Sequence, residues 1–77
     1  MRREAAVALL KELKTTFPSV ESTNSVLLKN EERGGFWELI IKWSPQPEEK
    51  AKLQSLTAKH NLEVFFGNGQ TSFRRSK

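Results

Sequence analysis

The chain of 77 residues has no cysteine, no aspartate and no tyrosine, and its one histidine is His60. Without cysteine there is no disulfide, no thiolate metal site and no cysteine nucleophile. The nine acidic residues are all glutamates, so a calcium or magnesium site would lack its commonest ligand. One histidine among scattered glutamates is a poor set for a transition metal, and no metal or other cofactor is expected. Long apolar runs are missing too. Ala5 to Leu10 is interrupted after six residues by Lys11 and Glu12, short of the ~7–15 of a secretory segment and the ~18 of a membrane span. The expectation is a soluble, cytoplasmic protein with no membrane partner.

What is present suits one globular domain over residues 1–77, with 36% hydrophobic and 29% charged residues. At this size folding buries only ~60% of the surface of the unfolded chain. With no covalent staple, the core or a partner must hold the domain together. Net charge is +4 and the isoelectric point about 9.8. Residues 1–14 carry +2 (four basic, two acidic) and residues 62–77 carry +2 (three basic, one acidic). A basic excess favours polyanionic partners; the same charge also serves to keep a small domain in solution.

The spacing of Ala6, Leu9, Leu10, Leu13 and Phe17 predicts a helix over 3–17, stopped by Pro18. Strands are predicted at 26–30 and 36–43, joined by a charged loop bearing Gly34 and Gly35. In the second strand Trp37, Leu39, Ile41 and Trp43 alternate with Phe36, Glu38, Ile40 and Lys42. The all-apolar set is assigned to the core. Ser44, two prolines and two glutamates open a helix over 45–60, with Ser44 as a candidate cap and Leu53, Leu56, Thr57 and His60 on one face. Strands at 62–67 and 70–75 flank Asn68-Gly69, a type I′ turn signal. In that hairpin Val64, Phe66, Thr71 and Phe73 take the core side, and Glu63 faces Arg74 on the other.

The order αββαββ predicts an α+β fold, one four-stranded antiparallel sheet with two helices packed on one face. Its connectivity resembles the ferredoxin-like βαββαβ pattern with the first strand moved to the end. The resemblance implies that 70–75 lies inside the sheet beside 36–43; an alternative arrangement keeps the two hairpins as neighbours in another order.

Such a sheet leaves one face open, and alternation assigns to it Leu27, Lys29, Phe36, Glu38, Ile40, Lys42, Glu63, Phe65, Ser72 and Arg74. Lys29, Phe36, Lys42, Phe65, Arg74 and the adjoining Arg75 are the candidate contacts for single-stranded nucleic acid, aromatics stacking on bases and cations meeting phosphates. Arg2, Arg3, Ser76 and Lys77 would extend that footprint. The competing use of the face is protein association or homodimerisation, since Leu27, Phe36, Ile40 and Phe65 would form an apolar patch. Glu38 and Glu63 favour that second use, because carboxylates repel phosphates. An enzyme is not expected. His60 at a helix end satisfies carbonyls, and Glu31-Glu32 on one turn do not converge on a single atom.

Overall fold

The structure is a computed structural model that describes residues 1–20 and 23–75. The four-residue spacing of Leu9, Leu13 and Phe17 organises its first element, α1 (Arg3–Thr16), in which Ala6, Leu9 and Leu13 are buried. Phe17 leaves the helix in extended geometry, and its N–H donates to the Leu13 carbonyl at 2.8 Å. Its ring therefore stays in the core while Pro18 turns the chain. A 3-10 turn, Pro18–Val20, buries Val20.

Strand β1 (Ser25–Asn30) leads through a second 3-10 turn, Glu31–Arg33, into β2 (Phe36–Ile41). Asn30 organises this connection. Its side-chain oxygen accepts from the Glu32 N–H at 3.1 Å, and its side-chain nitrogen donates to Glu38 at 3.1 Å. Gly34 and Gly35 follow with φ of 80° and 78°, left-handed conformations that L side chains rarely adopt.

Helix α2 (Pro47–Lys59) starts two residues later than the sequence suggests, and Gln46, not Ser44, caps it. Glu49 accepts from the Gln46 N–H at 2.9 Å and Pro47 occupies the first helical position. The reciprocal capping box explains the shift, because Pro45 and Pro47 leave Gln46 as the residue able to exchange both bonds. Glu49→Ala is expected to lower stability by about 0.5–1 kcal/mol in a urea melt, with Ser44→Ala changing little. The helix ends at Lys59 with His60 as its cap, and Asn61 follows with a φ of 54°, the one non-glycine residue in the left-handed region among the described residues.

Strands β3 (Leu62–Gly67) and β4 (Gln70–Arg75) form the last hairpin. Its turn is not type I′, which needs positive φ at both central residues. Only Gly69 has it, at 71°, and Asn68 does not. The pairing is nevertheless the one that a two-residue loop dictates, from Gly67 opposite Gln70 to Glu63 opposite Arg74.

The four strands form one antiparallel sheet in the order β1-β2-β4-β3. The last strand thus lies inside, beside β2, as the connectivity implies. Both helices pack on one face, α1 against β2 and α2 against β3. Between the layers lies a core of Leu9, Leu13, Phe17, Val20, Leu39, Ile41, Trp43, Leu53 and Phe73. Thr71 is also buried, and its hydroxyl donates to the Trp43 carbonyl at 2.8 Å. Phe66 departs from expectation. It is on the helix side but 38% exposed, at the margin of the sheet, with the Lys50 ammonium 5.0 Å from its ring centroid.

Met1 joins the sheet as well. The Trp37 N–H donates to its carbonyl at 2.6 Å, and its own nitrogen donates to the Trp37 carbonyl at 3.1 Å. It occupies the flank of β2 that β4 leaves after pairing Leu39 with Phe73.

Candidate functional site

In an antiparallel pair, residues directly opposite share a face. Leu39, Ile41, Thr71 and Phe73 are buried beneath the helices. Their alternates Phe36, Glu38 and Ile40 on β2, Ser72 and Arg74 on β4, and Glu63 and Phe65 on β3 therefore form the open face. Lys42 follows β2 between buried Ile41 and Trp43, and its N–H donates to the Asn24 carbonyl at 2.9 Å, which carries the alternation on.

Strand β1 corrects the sequence reading. Leu27 is opposite Leu39 and Lys29 is opposite Trp37, so both belong to the helix side. Val26, opposite Ile40, and Leu28, opposite Glu38, belong to the open face. Val26-Leu27-Leu28 is apolar throughout, so a period of two cannot choose between its faces. The partner strand makes the choice. Lys29 consequently leaves the proposed set and lies 3.4 Å from Glu31. Arg75, which adjoins Arg74, is opposite Leu62 by register, yet its guanidinium lies 5.3 Å from the ring centroid of Phe36 on the open face. Ser76 and Lys77 lie outside the described residues.

The face assembled in this way is mainly apolar. Val26, Leu28, Phe36 and Phe65 are 43%, 47%, 41% and 44% exposed, and half-buried Ile40 lies on β2 opposite Val26. Its charges are largely committed to one another. The Arg74 Nε donates to Glu63 at 2.9 Å, and the same guanidinium stacks 4.3 Å from the Phe65 centroid. Glu38 accepts from Asn30 at 3.1 Å. Lys42 is the one cation of the face with no such partner among the described residues. Formal charge over Glu38, Glu63, Lys42 and Arg74 cancels, so the basic excess of the chain lies elsewhere.

His60, at the end of α2, faces Glu12 of α1 with its Nε2 3.3 Å from the carboxylate. Among the described residues no group of three or more His, Cys, Asp or Glu gathers as a metal site, and no helix is long and apolar enough to cross a membrane. Comparison of the chain with protein-family models, curated proteins and solved structures finds no match.

Proposed function

We propose that this chain is a protein-association domain whose open sheet face pairs with the same face of a second copy. The observation that carries the reading is the face itself: five apolar side chains flanked by charges already matched in sign. Two-fold symmetry brings a patch against itself. A balanced set of Glu38, Glu63, Lys42 and Arg74 tolerates that, whereas a uniformly basic platform would repel its copy. Association would also support a domain with little core and no disulfide.

Four strands of six residues, spaced ~4.8 Å apart and rising ~3.4 Å per residue, span a face of roughly 19 by 20 Å. That is roughly 400 Å² of projected area, within the ~300–600 Å² of the largest patch on an ordinary monomer and smaller than the ~800 Å² each partner contributes to a standard interface. The dimer is therefore weak and concentration-dependent.

Nucleic acid is the alternative, and the Arg74–Phe65 stack is the feature in its favour, since guanidinium and ring together offer a base a platform. Among the described residues, Lys42 and Arg74 on the face and Arg75 against Phe36 are the cations placed to meet phosphates. Three contacts to a single strand give a log–log salt slope of about −2.1, and Glu63 already competes for one of those cations.

Sedimentation velocity from micromolar to millimolar protein, at low and moderate salt, separates the readings. Self-association that is indifferent to salt is expected. Ile40→Glu, which places an unpaired carboxylate at the centre of the face, is expected to weaken it roughly tenfold or more, ~1.4 kcal/mol. A monomer at every concentration that instead binds a short oligonucleotide, with affinity falling as salt rises, would exchange this conclusion for the other.

A further inference from the structure

The helix layer contains a second surface, distinct from the sheet face. Between the first half of α1 and the turn from α2 into β3 lies a cleft of ≈ 630 Å³, within the ~300–1,000 Å³ of small-molecule sites. Buried Met1 and Leu9 lie at its base. Ala5 and Ala8, about one turn apart on α1, form one wall and keep it open, since a longer side chain at either would fill the space. Leu62 contributes apolar surface from β3.

The charges of the lining are unequal in their availability. Glu12 is its one carboxylate and is already engaged by His60 at 3.3 Å. Arg2 and Arg75 also line the cleft, and among the described residues neither is paired with a carboxylate, although the Arg75 guanidinium also lies 5.3 Å from the Phe36 ring centroid. The charge that no carboxylate balances is thus positive, and it borders the apolar side chains of Leu9 and Leu62.

We propose that this cleft binds a small amphipathic anion, with the anionic head at Arg2 and Arg75 and a short aliphatic body over Leu9 and Leu62. Charge complementarity selects the head, because a cationic one would meet two guanidinium groups and find the only carboxylate occupied. Apolar lining and alanine walls select an unbranched body.

The test is an amide-resolved NMR titration of the intact chain with octanoate and with octyl phosphate, each below its micellar concentration, and with octylammonium as control. Saturable shifts at Ala5, Ala8, Leu9, Asn61 and Leu62 are expected with one or both anions, the preferred anion identifying the head as carboxylate or phosphate. Arg2→Glu is expected to weaken binding by about tenfold, since it replaces a charge-assisted contact with a repulsive one. Ala8→Leu is expected to block binding while circular dichroism stays unchanged, leucine being a strong helix former at an exposed position. Equal affinity for octylammonium, no saturable shift with either anion, or shifts centred on Ile40 and Phe65 would each overturn the proposal. None of those results bears on self-association through the sheet, which is read separately by sedimentation.

Discussion

Phe73→Ala is expected to destabilise the fold by about 3–5 kcal/mol. Phe73 is fully buried in β4, one of the two inner strands, opposite Leu39 on one side and Val64 on the other. Removing its ring opens a cavity that three strands and a helix layer border, and strands paired on both sides cannot collapse to fill it. A domain of this size has a net stability of only about 3–5 kcal/mol, so the variant should be largely unfolded in water by circular dichroism. Phe65 provides the matched control. It lies on the adjoining strand but on the open face, 44% exposed, and Phe65→Ala should cost about 1 kcal/mol or less in a urea melt. Comparable losses at the two sites would refute the division of the sheet into covered and open faces.

Trp43→Ala is expected to cost a similar ~3–5 kcal/mol, for a different reason. Trp43 is 6% exposed and ties three parts of the chain together. Its ring lies 5.3 Å from that of Phe17 at an interplanar angle of 45°. Its indole N–H donates to the Ser19 hydroxyl at 2.9 Å, and its carbonyl accepts from Thr71 at 2.8 Å. The side chain thus anchors the turn after α1 to the exit from β2. Trp43→Phe retains much of the ring contact and loses only the bond to an exposed serine, so it should cost about 1–2 kcal/mol. Trp37 remains in both variants as the fluorescent reporter of the melt. A small loss for Trp43→Ala would mean that the segment Pro18–Val20 docks without it.

Element by element, most of the architecture was legible because local signals and tertiary packing agree. Leu9, Leu13 and Phe17 announce a helical face, and the same residues fill the core. The alternation of Trp37, Leu39, Ile41 and Trp43 orients β2, and the two-residue loop at Asn68-Gly69 fixes the pairing of β3 with β4. The strand order is the one that the ferredoxin-like resemblance implies, of the two arrangements the sequence leaves open. Four features were not legible, one of them the turn at Asn68-Gly69, where Asn68 lacks the positive φ that type I′ needs. The direction in which β1 faces depends on its partner, because three consecutive apolar residues carry no alternation. Ser44 looks like a cap, yet the bond between Glu49 and the Gln46 backbone moves the helix start. Phe66 has core-like chemistry, but its strand lies at the edge of the sheet and α2 covers it with little more than Lys50. Of the six residues proposed for nucleic acid, Phe36, Lys42, Phe65 and Arg74 come together on one face, with the Arg75 guanidinium against Phe36; Lys29 belongs to the other face. That loss of a cation, with the gain of Val26 and Leu28, moves the balance from phosphates towards an apolar partner.

Met1 on the flank of β2 and Arg75 at the end of β4 border one cleft, although they stand at opposite ends of the described residues. A linker joining Arg75 to Met1, with the hairpin reopened between Asn68 and Gly69, would therefore place β4 ahead of α1. The rearranged chain would run strand, helix, strand, strand, helix, strand, with every buried contact of the present core retained. Where such a polypeptide is cut is separable from how it packs: the layers form a closed circuit, and linear order is one of several ways to traverse it.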